Sequence, residues 1–367
     1  MRKIWIIVGF IVIVAGIFVG IRLIQKPAPQ EQVIKIGAIL PLTGPAAEFG
    51  KSNLESSQLL VNLFNKSSKR KIKLIVEDSK SSPKDAINAY RKLIMSYEDL
   101  LFISSELSSV SMTIAPLTAK EGRLLMTIAA TPLLNEYKYI LRLYPTAENE
   151  AIAFSKAVKQ FVTNPNEAIV IFYINDEFGN SVSKLTLEYL RKMGFKNVYS
   201  ESFNITSSFD QKNIVAKYKY SKLGIVIGYG QSFGLIIKEF RNINKDAIII
   251  TSPEINFKDV LNLINLPDKK LYYLDILEPS KEINNLYRKT LHRSPNLVDL
   301  LVFDGFNILF KVINEIVEKN IELNIDEIYN RIIGRNFNFY GRTISVDTKG
   351  NVNYKMQLKT LNITRSD

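Results

Sequence analysis

The chain has 367 residues, 46 % of them hydrophobic and 23 % charged, which is the balance of a folded globular protein rather than a disordered or fibrous one. It contains no cysteine, so disulfide frameworks, thiolate metal sites, catalytic thiols and a lipid-modified cysteine anchor are all excluded. The formal net charge of +12 is spread along the chain, and its densest cluster (Lys66, Lys69, Arg70, Lys71, Lys73) is interleaved with Ile72 and Leu74 at the entry to a strand. That pattern reads as a solvated basic surface, one that could rest against anionic lipid, rather than as a nucleic-acid site.

Arg2 and Lys3 precede an uncharged apolar run over residues 4–21, and Arg22 and Lys26 follow it. About 18 apolar residues is close to the minimum that spans a bilayer. No small-x-small cleavage site follows closely, so the expectation is an uncleaved transmembrane anchor rather than a removed signal peptide. Residues 1–32 then form the anchor and a short linker, and the protein is expected in the cell membrane, single-pass, with its folded part extracytoplasmic. Strand-like apolar runs come next, at residues 33–40, 72–78, 100–104, 124–129, 140–144, 168–174, 197–203, 223–228, 247–251 and 271–276. Several are apolar throughout, as strands covered on both faces must be. Amphipathic helical stretches separate them. Ser82, Pro83 and Asp85 read as an N-cap, a first-turn proline and a capping box, and Gly194 as a left-handed helix terminus. The chain then turns helical through Tyr287, residues 298–317 and 326–333, and a short strand pair is expected around Ile344 and Met356. Alternation of this kind builds parallel sheets, and ten strands are too many for one open sheet of ordinary size. Ligands of such sheets bind beyond the carboxyl ends of the strands, which directs attention to the turns at 42–50, 78–82, 106–109, 127–131, 175–179 and 229–232.

Those turns carry a resemblance. IKIGAILPLTGPAAEFG at 34–50, IKLIVEDSKSSPKDAINAYRKLI at 72–94, ELSSVSMTIAPLTAKEGRLLMTIAAT at 106–131, YINDEFGNSV at 173–182 and YGRTISVDTKGNV at 340–352 resemble, in order, type I periplasmic binding proteins of the branched-chain amino-acid class. The resemblance implies an α/β fold of two Rossmann-like lobes with parallel sheets, joined by a three-stranded hinge and preceded here by the transmembrane helix. Lobe 1 would hold residues 33–146 and 277–336, and lobe 2 residues 147–276 and 337–367. It implies capture of a small polar ligand, an amino acid or related carboxylate, for an ABC permease, with no cofactor, metal or nucleic acid. A separate receptor partner would make the same fold a sensor.

The implied ligand contacts are Ser108 and Thr131 for a carboxylate, with Ser109 beside Ser108 at a helix start. The backbone carbonyl of Ala129, followed by Ala130, would meet an ammonium. Phe49, Phe178 and Tyr229 would shield the ligand; Phe178 stands where the family usually has tyrosine. The family's carboxylate partner for the ammonium is missing from its usual place, where Lys269 and Lys270 stand instead. Either Glu254 supplies that charge, or the ligand is an anion suited to the lysines.

One enzyme motif competes. Gly230-Gln231-Ser232-Phe233-Gly234 fits the G-x-S-x-G nucleophile elbow, with Asp275 and the sole histidine, His292, following in hydrolase order. No glycine-rich oxyanion loop accompanies it, and the expectation is that the chain is not an enzyme.

Overall fold

The computed structural model describes residues 33–204, 208–264, 269–276 and 278–361. All ten apolar runs form strands. β1 (Ile34–Leu40), β2 (Ile72–Asp78), β3 (Phe102–Glu106), β4 (Leu124–Ile128) and β5 (Ile140–Arg142) make a parallel sheet in the order β2-β1-β3-β4-β5. β6 (Ile169–Ile174), β7 (Val198–Phe203), β8 (Leu223–Ile227), β9 (Ile248–Thr251) and β10 (Leu271–Asp275) make most of a second sheet, in the order β7-β6-β8-β9-β10. Nearly every residue of β1, β3, β6 and β8 is buried, because helices cover both faces.

Helices α1 (Ala47–Ser67), α2 (Pro83–Ser96), α3 (Ser108–Lys120), α4 (Ala147–Phe161), α5 (Glu177–Lys192), α6 (Ser208–Ala216), α7 (Gly230–Ile243) and α8 (Lys258–Leu261) make the crossovers. Ser82 caps α2 by accepting from the Asp85 N–H at 3.3 Å, but its own N–H goes to Ser79, so the expected box closes on one side only. Gly194 takes φ +94° where α5 ends, as its position predicts.

Three further helices, α9 (Lys281–Leu291), α10 (Leu297–Glu318) and α11 (Ile325–Ile332), follow the second sheet. α10 returns to pack on α1. Ser56 donates to Asp299 at 2.6 Å, and the Phe64 and Phe310 rings lie 4.4 Å apart. The last strand pair differs from expectation. Ile344 lies in β12 (Arg342–Val346), which pairs with β11 (Arg335–Phe339), while Met356 only leads into β13 (Gln357–Thr360), an antiparallel edge strand on β10. Local alternation did not distinguish these pairings: β12 closes a hairpin with β11 just before it, while the partner of β13, β10, lies far back along the chain.

In each sheet the strand order reverses once, between β1 and β3 in the first and between β6 and β8 in the second. Loops diverge at such a point and leave a crevice beyond the carboxyl ends of the two strands. The expected membrane helix at residues 4–21 lies outside the described residues; among the described ones, no helix is long and apolar enough to cross a membrane.

Candidate functional site

The two crevices face each other. Phe49 stands in the first turn of α1, after β1; Leu107 and Ser108 join β3 to α3. Opposite them, Phe178 opens α5 after β6, and Tyr229 caps α7 after β8. Together with Glu106, Ile128, Ala129, Ala130, Tyr144 and Glu254, these residues line a cavity of about 380 Å³, counting the part open to solvent. Of the sequence-selected residues, Ser108, Ala129, Ala130, Phe49, Phe178, Tyr229 and Glu254 line it. Ser109 does not. Thr131 is fully buried, and its hydroxyl is spent on Glu177 at 2.7 Å, so it bridges the two halves instead of facing the cavity.

The first wall sets a helix start beside a free backbone carbonyl. Ser108 begins α3, whose first N–H groups have no partner within the helix. The Ala130 N–H donates to Ser108 Oγ at 3.1 Å, which leaves the hydroxyl hydrogen free to donate. Leu107, just before, sits at φ +69°, an uncommon conformation for a leucine that turns the chain sharply from strand into helix. The Ala129 carbonyl is left over for a reason in the sequence. Leu143 N–H donates to Thr127 O at 2.8 Å, and the next rung would come from Pro145, which has no N–H. The neighbouring Ala130 carbonyl is taken, by the Ala147 N–H at 2.8 Å and by Arg142 at 3.2 Å. Arg142 is wholly buried and binds only Ala130 O and Asn135 Oδ1. Burial pulls its guanidinium down to about 10, against the attraction of Asp347.

The second wall is acidic and aromatic. Tyr229 donates to Asp176 Oδ2 at 2.6 Å, and Asp176 caps α5 by accepting from the Gly179 N–H at 2.9 Å. Burial raises the Asp176 carboxyl despite these donors, and it raises the Tyr229 phenol as well. Gly179 is required there, since a Cβ would meet the Ile174 carbonyl at 1.9 Å. Tyr144 donates towards two carboxylates, Glu254 Oε1 at 2.9 Å and Glu150 Oε1 at 3.2 Å. A phenol has one proton to give, so one of the two acids must hold a proton of its own or go unsatisfied. Burial first, then the like charge of Glu254, pushes Glu150 well up; burial takes Glu254 up to about 7. One oxygen of each carboxyl, Oε2, accepts no hydrogen bond from the protein.

Sequence reasoning missed Glu106. It ends β3, is 1 % exposed, and neither carboxyl oxygen has a hydrogen-bond partner. Burial pushes it up to about 8. The Asn53 amide on α1 opposes that rise without closing a hydrogen bond, and the charge of Asp299 adds to it. The signal available was an acid standing at the end of an otherwise uncharged strand.

Contacts across the gap hold the halves together. The Phe49 ring lies 4.3 Å from that of Phe257 and 5.6 Å from that of Tyr229, and the Asp259 N–H donates to Glu48 Oε2 at 3.1 Å. Gly230 has φ +67°, and a Cβ on it would lie 2.8 Å from the Pro45 carbonyl.

One alternative is corrected, and the competing motif takes its place in the fold. Lys269 and Lys270 are exposed, Lys270 pairs with Asp246 at 2.9 Å, and neither lines the cavity, so they supply no charge to a ligand there. The elbow at Ser232 has no relay behind it: Ser232 lies inside α7, Asp275 pairs with Lys359, His292 ends α9, and no described hydrogen bond joins the three.

A two-sheet α/β protein with one cavity between opposed switch points defines a class, the hinged binding proteins. Residues 33–263 match the family model described as periplasmic binding protein, more than half of the chain, and the chain belongs to that family. It is 25 % identical over 228 residues to the Leu/Ile/Val-binding protein BraC3 of Rhizobium johnstonii, covering 59 % of this chain and 60 % of that one. The leucine-binding protein LivK of Thermotoga maritima superposes with a TM-score of 0.78 at 18 % identity, over 90 % of this chain and 95 % of that one. A solute-binding protein of an ABC transporter from Rhodopseudomonas palustris, in complex with 3,4-dihydroxybenzoic acid, also gives 0.78, at 17 % identity over 91 % and 94 %. The expected single-pass cell-membrane localisation is corrected here, because the matching family is described as periplasmic and no described helix can cross a membrane.

Proposed function

We propose that this chain captures a small solute carrying a protonated amine, an amino acid or a close relative, between two lobes and presents it to an ABC permease. The observation that carries the reading is the composition of the cavity wall. It has two carboxyl groups, Glu106 and Glu254, a free serine hydroxyl at a helix start, and no lysine, arginine or histidine. A solute that is only an anion would meet these acids unpaired, which is costly in a buried site. An amino acid uses both walls. Its carboxylate takes the Ser108 hydroxyl and the first N–H groups of α3, and its ammonium takes the Ala129 carbonyl and Glu254. Phe49, Phe178 and Tyr229 then exclude water, which strengthens each polar contact.

The lobes of this reading are residues 33–146 with 277–336 and residues 147–276 with 337–367, closing about three chain crossings. The pairs of Arg335 with Glu315 and of Arg342 with Asp304 tie β11 and β12 to α10 and move the last boundary past Val346. The relatives support both ligand classes by name, with leucine, isoleucine and valine on one side and a dihydroxybenzoate on the other. The acids in the wall favour the amine.

Thermal-shift measurements with amino acids and aromatic acids test this. An amino acid well above its dissociation constant should raise the melting temperature. Ser108→Ala and Glu254→Gln should each remove most of that shift. A shift by benzoates alone, or one that both variants keep, would defeat the reading.

A further inference from the structure

We propose that Glu106 selects the solute, by accepting a second cationic N–H group at the end of the solute remote from its α-amino acid head. The inference rests on the amino-acid reading above and extends it to the side chain: the solute is a short diamino acid.

Glu106 lines the cavity together with apolar residues that include Phe49, Leu107 and Ile128. Burying a carboxyl without donors costs several kcal/mol, and apolar residues of similar size would fill the same space at no such cost. The protein offers it only the Asn53 amide, which closes no hydrogen bond to it. The Asn53 amide nitrogen itself closes no hydrogen bond, and the guanidinium of Arg293 is taken up by Asp299 and Glu55. A buried acid that lines a binding cavity and closes no hydrogen bond with the protein can be satisfied by a donor on the guest.

The α-ammonium cannot be that donor while it also satisfies the opposite wall. The Ala129 carbonyl and the free Oε2 of Glu254 are its partners in the reading above, and Glu254 comes from the other half of the molecule. A second amine therefore remains for Glu106. Four aromatic rings, those of Phe49, Tyr144, Phe178 and Tyr229, line a space of no more than about 380 Å³ and restrict the spacer between the two nitrogens to a few methylenes. When the amine arrives, the carboxyl releases its proton to solvent and keeps a positive partner, so the site gains no unpaired charge.

Titration calorimetry on the full chain tests this with two matched pairs. L-2,4-diaminobutyrate is compared with L-norvaline, and L-ornithine with L-norleucine, each pair differing by an amine in place of a methyl. The wild-type protein should prefer the better diamino acid over its apolar partner by about 100-fold, since a site built to bond a polar group rejects the analogue lacking it. Glu106→Gln should cut that ratio to within about tenfold, and Glu106→Leu should reverse it. Binding of norvaline, norleucine or isoleucine in preference to the diamino acids would overturn the role of Glu106 and leave the amino-acid reading intact. The same holds if Glu106→Gln keeps the wild-type ratio. Failure of every amino acid to bind would overturn both. The glutamine variant keeps the shape of the side chain, so the test survives if the leucine variant does not fold.

Discussion

Replacing Glu106 with glutamine should change how stability depends on pH even with no solute present. The ordinary glutamate value is 4.5, and burial first, with Asp299 adding, takes this carboxyl to about 8. The folded state therefore holds the proton more tightly than the unfolded chain does. Its contribution to stability is fully present below pH 4.5 and is lost as pH rises towards 8. Each pH unit in that window costs about 1.4 kcal/mol for one proton. Between pH 4.5 and 7 the wild-type protein should lose about 3 kcal/mol from this residue, a large part of the 5–15 kcal/mol typical of a domain. Glutamine does not titrate, so the variant should gain on the wild type by about that amount over the same interval. Urea unfolding at half-unit steps of pH, with the slope m compared between the two proteins, measures the difference directly. Two stability curves that run parallel from pH 4.5 to 7 would refute the reasoning, because a carboxyl held neutral by burial cannot give that result.

Gly230→Ala should weaken solute binding while leaving each sheet intact. Its φ of +67° costs an alanine about 1–2 kcal/mol, and the Cβ would press on the Pro45 carbonyl only when the halves are together. Calorimetry should show lower affinity, and small-angle scattering with solute present a larger radius than the wild type; unchanged values in both would count against a closed state. Asp259 lies beside Glu48 across the gap; burial and then the Glu48 carboxylate push it up to about 7. The closed form therefore favours the proton on this pair. Solute affinity should fall as pH rises from 3.8 towards about 7 and level off above it, and Asp259→Asn should remove that part of the fall, as titrations from about pH 4 to 8 would show.

The sheets were legible in the sequence because a strand buried on both faces must be apolar along its whole length, and such runs can be read one at a time. Ile72–Asp78 coincides with its run, and the other nine strands depart by no more than two residues at either end. The turns were legible for a related reason. A parallel sheet puts its loops of interest after its strands, which picked out the turns, and the family resemblance then singled out Phe49, Ser108, Ala129, Ala130, Phe178 and Tyr229 within them; Glu254 lies outside those turns.

What those turn residues do was decided in three dimensions. Thr131 and Ser108 are both hydroxyl residues at turns, yet Glu177, arriving from 46 residues away, consumes the first, while the second merely accepts from a neighbouring N–H and keeps its proton to give. The expected pairing of Ile344 with Met356 failed partly for the same reason: the strand after Met356 pairs with distant β10, while that of Ile344 pairs with its hairpin neighbour β11. Glu106 shows the limit most clearly. As a letter it is one acid among 36 acidic residues, and an acid at a strand end is ordinarily solvated. Only the packing of α1, α10 and the second lobe over it removes its water, and loss of water is what turns a common carboxylate into a buried acceptor with a choice of guest.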